Sequence, residues 1–371
     1  MSGRRIALLL ACGLSLAAVP APGRGRGLTA EQGDCLARRL AGAEPAGRTA
    51  GRLEAFAVMD VWTGRLLWLE HGDLLAKYRF QPASVFKLVT AYHALGAGKV
   101  DPAAVYRCRG RPHQEGPSGG RVGCWLEPGH GPVNLRKALA YSCNLYFARL
   151  GERLAAPRLL ATARRCGLGR STGSDLPGEI GGRLPPGIDR RQAARLAVGQ
   201  VAGLELTGLQ LLSLVGAVAN GGALHSPRRD VPAGGSAPRR GSLPGAQHLR
   251  LLRDAMREAS AFGTGAAAGL GRLGVAGKTG TAGWDRTPWR THGWFVGFWP
   301  ADRPELALVV FVHRGTGGGT AAPLAAAVVR AVESARERCR STGDRKTEPF
   351  EDGQSKQEFP WQPRWQEEAR P

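Results

Sequence analysis

Strand-like segments stand at both ends of this chain and restrict its fold more than any other feature. Near the start, apolar runs on either side of Thr63–Gly64 predict a β-hairpin over Phe56–Trp68. Near the end, turn residues separate three β-rich runs: Val275–Thr281, Gly293–Trp299 and Leu306–His313. The sequence between these groups has helical periodicity. We therefore expect an α/β fold of the α+β type, with an antiparallel five-stranded sheet built from both ends, flanking helices and an inserted all-α subdomain.

Four apolar stretches with helical spacing predict the main helices. They are Ser84–Leu95, Leu135–Leu150, Leu206–Ala219 and Ala321–Cys339. The first follows Pro82 and ends at Gly96, which is the usual placement of these two residues at helix ends. By contrast, Arg107–Pro132 is rich in Gly, Pro and Cys and predicts an irregular connection.

The first 22 residues predict export. An apolar run of about 14 residues, Ile6–Val19, follows two arginines; it is shorter than a membrane span of about 20 residues and fits the core of a signal peptide. Pro22 disfavours cleavage after Ala21, so residues 1–22 are interpreted as a signal peptide or a membrane anchor. We expect an exported protein, in the periplasm or on the outer face of the cytoplasmic membrane.

The rest of the chain divides into three parts. Residues 23–50 are rich in Gly, Ala and Arg without a sustained period, which predicts a linker. Residues 51–340 contain the predicted strands and helices and form the expected domain. Residues 341–371 are polar, charged and proline-bearing, and predict a disordered tail.

The formal net charge of +21 does not by itself indicate a nucleic-acid partner. Seven of the 51 basic residues are lysines and the rest are arginines, which, with the abundance of Ala and Gly, is typical of a GC-rich coding bias. The sequence carries no zinc finger or other nucleic-acid motif, so we expect no nucleic-acid partner.

Ser84 and Lys87 are the first candidate catalytic residues. They are three residues apart at a predicted helix start and therefore share a face. Serine attacks an acyl carbon only when it loses its proton, and lysine accepts that proton when desolvation or nearby positive charge lowers its pKa. The helix N-terminus favours developing negative charge, and the backbone N–H of Ser84 can donate to an oxyanion. Alone this pattern is weak, because a capping serine and a surface lysine are common in helices.

Two further patterns add to this pair. Ser142 and Asn144, on either side of Cys143, open a helix, where a hydroxyl can relay a proton to a leaving amine and an amide can hold a substrate. Lys278 begins the second pattern, in a predicted strand before a turn. This pattern consists of Lys278, Thr279, Gly280 and Thr281. The lysine and the two threonines would bind a carboxylate, and the glycine would let a substrate backbone approach the strand. A lysine that must lose its proton cannot be replaced by arginine.

In their order and spacing, these patterns resemble the penicillin-binding proteins and serine β-lactamases. The similarity runs from about Leu53 to Cys339 through six further segments: Gly173–Glu179, Gly199–Gln200, Ala219–Gly222, Gly263–Ala266, Gly277–Ala282 and Trp294–Phe298. This collinear match is similar to the transpeptidase domain of class B penicillin-binding proteins. Within that class, Gly129–Gly131 followed by Ser142–Cys143 most resembles the elongation-type members.

The resemblance implies a serine D,D-transpeptidase that needs no cofactor for catalysis. Ser84 would attack the penultimate D-Ala of a peptidoglycan stem peptide, release the terminal D-Ala and pass the acyl group to an amine of a neighbouring stem. Lys87 would act as base, Ser142 as proton shuttle, and Lys278 with its neighbouring threonines would bind the terminal carboxylate. The N–H groups of Ser84 and Thr281 would form the oxyanion hole, and β-lactams would acylate the same serine. Expected partners are stem peptides and a glycan polymerase or another cell-envelope protein.

Three features depart from the family pattern. Class B members usually carry an N-terminal pedestal domain, for which residues 23–52 are too few. Val201 follows Gly199–Gln200 where the family commonly has glycine, and elongation-type members often have aspartate where Asn144 stands.

Three cysteines and a histidine lie between the first two catalytic patterns. Cys108, Cys124, His130 and Cys143 suit a tetrahedral Zn²⁺ ion, although their spacing matches no standard zinc finger. The resemblance points the same way, since some elongation-type relatives carry a structural metal in this region. The alternative is a Cys108–Cys124 disulfide, which export favours. The sequence leaves both open.

Outside the leader, the remaining cysteines are Cys35, Cys166 and Cys339. Cys35 and Cys339 lie near opposite ends of the expected domain and can pair with each other. Cys166 has no predicted role.

Three rival functions were weighed. A class D β-lactamase or β-lactam sensor shares the fold but usually has a hydrophobic residue where Asn144 stands. A non-catalytic peptidoglycan-binding scaffold is disfavoured by intact Ser84, Lys87 and Lys278. A D,D-carboxypeptidase, which uses water as acceptor, is not distinguished by the sequence.

Overall fold

The computed structural model describes residues 27–46, 52–110, 122–189, 192–283 and 291–342. The predicted leader, residues 1–22, and nearly all of the predicted tail, residues 341–371, lie outside these ranges. Within them, every helix is too short or too polar to cross a membrane.

Nine strands are described, and five of them form the main sheet. In chain order they are β1 (Glu54–Asp60), β2 (Leu66–Glu70), β3 (Tyr106–Cys108), β4 (Gly131–Val133), β5 (Ala223–His225), β6 (Arg239–Ser242), β7 (Ala276–Gly283), β8 (Thr291–Trp299) and β9 (Leu306–His313). The main sheet has the order β2-β1-β9-β8-β7, and all its neighbouring pairs are antiparallel. The predicted five-stranded antiparallel sheet is confirmed. Strand β7 forms one edge and β2 the other.

Ten α-helices are described. They are α1 (Ala30–Leu40), α2 (Gly72–Lys77), α3 (Lys87–Gly96), α4 (Leu135–Ala140), α5 (Asn144–Arg153), α6 (Ala156–Arg165), α7 (Ala193–Ala197), α8 (Gly208–Asn220), α9 (Ala246–Ala261) and α10 (Ala322–Thr342). The helical insertion between β2 and β7 also contains two short two-stranded sheets, β3–β4 and β5–β6. The predicted helix over Leu135–Leu150 is divided into α4 and α5, because Ser142 has a left-handed backbone.

Helices cover both faces of the sheet, and the central strand shows this by its alternation. In β9, Ala307, Val309 and Phe311 pack with α3, α8 and α9 on one face, while Leu308 and Val310 pack with α1 and α10 on the other. Helix α8 is buried along almost its whole length and is apolar on every side, as expected for a helix in the middle of a core. The turn that carries Ser84 and the strand that carries Lys278, β7, therefore rest on two packed layers.

The structure corrects the linker predicted for residues 23–50, because Ala30–Leu40 forms helix α1. Thr29 and Gln32 make a capping box at its start, and Leu36 and Leu40 are buried against α10 and β2. The Gly, Ala and Arg composition conceals this helix, since few large apolar residues mark its buried side.

A disulfide joins the two ends of the described domain. Cys35 in α1 is bonded to Cys339 in α10 across 304 residues of sequence, which confirms the predicted pairing. Closing so long a loop restricts the unfolded chain, and native disulfides of this kind typically stabilise by about 2–4 kcal/mol.

Candidate active site

Ser84 lies on a single 3₁₀ turn, Ala83–Phe86, that leads directly into α3. Ala83 has a φ of 49°, a left-handed conformation that is unusual for a residue with a side chain. Its carbonyl is accommodated by Gly199, where a Cβ atom would approach that oxygen to 2.0 Å. Gly199 belongs to a segment on which the family resemblance depends, and the structure gives the physical reason for a glycine there.

Lys87 is fully buried and its amine contacts three other candidate residues. Its Nζ lies 3.0 Å from Ser84 Oγ, 2.6 Å from Asn144 Oδ1, and 2.8 Å and 3.2 Å from the carbonyl and hydroxyl oxygens of Ser142. Burial lowers the pKa of Lys87 to about 7. The amine is therefore placed to take a proton from Ser84 near neutral pH.

Ser142 lies between two buried lysines. It has a φ of 54° in the junction between α4 and α5, and its hydroxyl accepts a hydrogen bond from Lys278 Nζ at 2.9 Å. Burial, and then the positive charge of Lys87, hold the pKa of Lys278 well below its usual value. The structure thus brings Ser84, Lys87, Ser142, Asn144 and Lys278 into one continuous hydrogen-bonded group, which we call the catalytic network.

The residues after Lys278 line the edge strand β7 beside this network. The hydroxyls of Thr279 and Thr264 lie 2.6 Å apart, and the exposed Thr281 accepts a hydrogen bond from the Gly317 N–H at 2.9 Å. The structure gives a reason for glycine at position 280 that the sequence did not supply. A Cβ atom there would lie 2.9 Å from the carbonyl oxygen of Pro82, so glycine lets β7 approach the Ser84 turn.

His292 and Trp294 are residues that the sequence analysis did not assign to the site. Both side chains point from β8 to the carbonyl oxygen of Gln81, with His292 Nε2 at 2.9 Å and Trp294 Nε1 at 3.0 Å. Trp294 was noted only as part of the family resemblance. The sequence offered one signal for them: two side chains with N–H donors, two residues apart, in the predicted strand that follows the strand of Lys278.

Cys108, Cys124, His130 and Cys143 meet behind Ser142, and we call them the thiol cluster. Their ligand atoms all lie within 4.8 Å of one another, and His130 Nδ1 is 3.2 Å from Cys124 Sγ and 3.6 Å from Cys108 Sγ. Cys143 is also the N-cap residue of α5. Cys108 and Cys124 are both free thiols in the structure, so it does not contain the alternative Cys108–Cys124 disulfide.

The thiol cluster fits a zinc ion by donor set and by spacing. Ligands of a tetrahedral zinc ion are about 3.5–3.8 Å apart, which follows from Zn–S and Zn–N bonds of about 2.3 and 2.0 Å. The hydrogen bond from Cys143, and then that from His130, hold the pKa of Cys124 below its usual value, which favours the thiolate form that binds zinc. The segment that carries Cys124 also contacts the catalytic network, since Asn144 Nδ2 donates to the carbonyl of the preceding residue, Gly123, at 3.1 Å.

Comparison with known proteins identifies the family. The profile of the penicillin-binding protein transpeptidase domain matches residues 55–331. The chain belongs to this family. The class B assignment predicted from the motifs is confirmed, and elongation-type members are among the relatives.

Two curated relatives are longer than the part that this chain matches. It is 31% identical over 274 residues to stage V sporulation protein D of Bacillus subtilis, covering 68% of this chain and 42% of that protein. It is 31% identical over 278 residues to peptidoglycan D,D-transpeptidase MrdA of Acinetobacter baumannii, covering 66% of this chain and 41% of that protein. The chain therefore spans less than half the length of these relatives.

Solved structures show the same fold. Penicillin-binding protein 2 of Helicobacter pylori, in a complex with MreC, superposes with a TM-score of 0.68 at 24% identity, covering 78% of this chain and 61% of that chain. The transpeptidase domain of Burkholderia pseudomallei penicillin-binding protein 3 gives a TM-score of 0.68 at 22% identity, over 86% of this chain and 98% of that domain.

Proposed function

We propose that this member of the penicillin-binding protein transpeptidase family is a serine D,D-transpeptidase that cross-links peptidoglycan stem peptides. The observation that carries the proposal is the position of the Lys87 amine, within hydrogen-bond distance of Ser84, Ser142 and Asn144. Its pKa of about 7 leaves a large fraction of the amine neutral, and so able to act as a base, near neutral pH.

In the first step, Ser84 Oγ forms a bond to the carbonyl carbon of the penultimate D-Ala, and its proton moves to Lys87 Nζ. The backbone N–H groups of Ser84 and Thr281 stabilise the oxyanion; losing one such donor typically costs about 10² to 10³ in rate. When the intermediate collapses, the peptide bond to the terminal D-Ala breaks and the leaving amine takes a proton through Ser142. Lys278 supports this transfer, because it donates to the same hydroxyl.

The terminal carboxylate of the substrate binds along β7. Thr279 and Thr281 present hydroxyls near this edge, and Lys278 supplies an amine at the start of the same run. Asn144 holds the substrate amide while its Oδ1 contacts Lys87. In the second step, an amine of a neighbouring stem peptide attacks the acyl-enzyme and frees Ser84.

Fluorescent penicillin tests this assignment, because a β-lactam acylates the same serine. We expect the purified protein to be labelled covalently, Ser84→Ala to abolish labelling, and Ser334→Ala, an exposed serine on α10, to label like the wild type. Labelling that persists in Ser84→Ala would reject the mechanism. Slow loss of the adduct supports a transpeptidase, whereas rapid turnover would support a β-lactamase; D-Ala release without cross-linked product would support a carboxypeptidase.

The thiol cluster is proposed to hold one structural zinc ion through Cys108, Cys124, His130 and Cys143. Zinc would fix the loop behind Ser142, and we assign it no step in catalysis. Metal analysis of protein purified without chelator should give one zinc per chain, and Cys124→Ser should lose it. Cys166→Ser is the matched control, since Cys166 is a buried free thiol outside the cluster. A Cys108–Cys124 disulfide found by peptide mapping in protein without metal would reject the zinc assignment.

The site of action is proposed to be outside the cytoplasm, where the stem peptides are, with residues 1–22 acting as signal peptide or anchor. Cell-envelope partners are proposed on the same basis. One solved relative is in a complex with MreC, and another is part of a peptidoglycan synthase complex that coordinates polymerization and crosslinking. Both support a glycan polymerase or another cell-envelope protein as the partner. Cell fractionation tests the proposed location. Chemical crosslinking of the protein to its neighbours in the envelope fraction tests the proposed partners.

A further inference from the structure

The turn that carries Ser84 is held from outside through the Gln81 carbonyl. Ala83 has a left-handed φ of 49°, and such a conformation persists only where surrounding contacts determine it. The Gln81 carbonyl oxygen, two residues earlier, accepts hydrogen bonds from His292 Nε2 and Trp294 Nε1, at 2.9 and 3.0 Å. These two side chains are two residues apart on β8 and so project from the same face of the sheet.

Strand β8 also fixes the position of β7, which carries the second proposed oxyanion donor. In the β7–β8 ladder Trp294 pairs with Gly280, and Gly293 pairs with Thr281. Strand β8, which donates two hydrogen bonds to the Gln81 carbonyl, is therefore the hydrogen-bonded neighbour of β7, which carries the Thr281 N–H. The two oxyanion donors come from separate elements, and the Gln81 carbonyl is where the first element is tied to the second.

We propose that His292 and Trp294 are positioning residues that hold the Gln81 carbonyl and thereby set the distance of Ser84 from the Thr281 N–H. The inference deepens the proposed acyl-transfer function and rests on it. It assigns neither side chain a contact with substrate.

The surroundings of His292 suit a fixed hydrogen-bond donor. The ring lies among Phe80, Phe311 and Trp294, with ring centroids 5.5, 5.6 and 6.3 Å away. Burial lowers the pKa of His292 to about 4, so the imidazole is neutral at physiological pH. A carbonyl only accepts, so the proton of the neutral ring lies on Nε2.

A positioning role predicts an effect on the chemical step rather than on binding. Displacing the nucleophile from its donors by a fraction of an ångström weakens contacts made in the transition state, while the groove that binds the ligand is unchanged. Stopped-flow acylation by a chromogenic β-lactam over a range of concentrations separates the non-covalent Kd from the acylation rate constant. We expect His292→Phe and Trp294→Phe each to lower the rate constant about tenfold, with Kd changed by less than about twofold.

Two further variants make the test specific. Trp299→Phe is the matched control, because Trp299 lies on the same strand but faces α10. The substitution removes an equivalent hydrogen bond, from Trp299 Nε1 to Glu333 Oε1 at 2.8 Å. It should acylate within about twofold of the wild type. His292→Gln keeps a side-chain amide donor and should recover part of the loss caused by His292→Phe. Equal losses in Trp294→Phe and Trp299→Phe, or an effect on Kd alone, would overturn the proposal.

Hydrogen exchange of the segment 80–88 measures the same restraint without substrate. Exchange should accelerate there in His292→Phe and Trp294→Phe and stay unchanged in Trp299→Phe. Unchanged exchange in all three would overturn the inference even if the wild type is acylated normally. If the wild type were not acylated at all, the proposed function would fail, and the exchange data would still decide whether the two side chains restrain Ser84.

Discussion

The catalytic network and the thiol cluster share the segment Ser142–Asn144 but are constructed in opposite ways. Ser142 and Asn144 turn toward Lys87, while Cys143 between them turns toward Cys124 and its cluster. The catalytic network joins side chains from α3 and the 3₁₀ turn before it, from the start of α5 and the junction before it, and from β7, and the sheet and the helical core position these elements. The thiol cluster takes three of its members from the small β3–β4 sheet and the connection between its strands, and the fourth, Cys143, from the N-terminus of α5.

This difference in support predicts a difference in dependence. The catalytic network should keep its geometry without any ligand, because large packed elements hold it. The thiol cluster brings three sulfur atoms and an imidazole within 4.8 Å of one another. A bound cation stabilises such an arrangement, and removal of the cation weakens it. Substitutions in the first region should therefore change chemistry with little effect on stability, and substitutions in the second should change stability first.

The largest effect is expected at Lys87. Lys87→Met removes the base but keeps a buried chain of similar length, so acylation by penicillin should fall by about 10³-fold or more, with no loss of melting temperature. Lys87→Arg should also fail, because guanidinium does not deprotonate. Lys77→Met, at an exposed ion pair with Asp73, is the control and should acylate normally. Near-normal acylation in Lys87→Met would remove this residue from the mechanism.

A smaller effect is expected from removal of the proposed zinc. Stripping the metal, or Cys143→Ser, should lower the melting temperature and slow acylation about 10–100-fold, because the Ser142 segment loses its support. Acylation and melting temperature are measured on the same preparations, with Cys166→Ser as control. Loss of acylation at an unchanged melting temperature would contradict the purely structural role.

The pH dependence should separate the two regions further. The neutral form of Lys87 is the base, and its pKa of about 7 lies below the usual lysine value. The acylation rate should therefore fall about tenfold per pH unit below 7 and level off above it. Rates measured from pH 5 to 9, with thermal melts at each pH, test this. A rate that is flat across pH 7, or that still rises steeply up to pH 9, would argue against Lys87 as the base.

The smallest effect on acylation is expected from the Cys35–Cys339 disulfide. The Cys35→Ser, Cys339→Ser double variant should lose about 2–4 kcal/mol of unfolding free energy, measured with denaturant, because the unfolded chain gains freedom. Its acylation rate should match the wild type below the transition. A slowed rate in the folded variant would show that the far side of the sheet influences the catalytic cleft.

Much of the fold was predictable, because strands and long helices leave periodic patterns. The five strands and α8 were predicted within a few residues. Helix α1 was not, since its stability comes from packing against α10 and from a disulfide that links distant parts of the sequence. The break between α4 and α5 depends on one left-handed residue, Ser142, and serine gives no signal for that conformation.

The candidate site shows the same division. The residues of the catalytic network were singled out because their types and spacing are chemically specific, and the structure places them together. The restraint by His292 and Trp294 was missed because it links positions 81 and 294, which only the folded sheet brings into contact. Gly280 was given a substrate-related reason, whereas its proximity to the Pro82 carbonyl appears only in three dimensions.

The Cys35–Cys339 bond has a practical consequence for work in cells. Helix α1 packs beside β2, at the sheet border remote from β7, and the disulfide brings the end of α10 to the same place. The first and last described helices thus meet at one corner of the domain, at the border of the sheet opposite the strand that carries Lys278. A fluorescent reporter attached to an exposed residue of α1, such as Gln32, should leave acylation at Ser84 unobstructed.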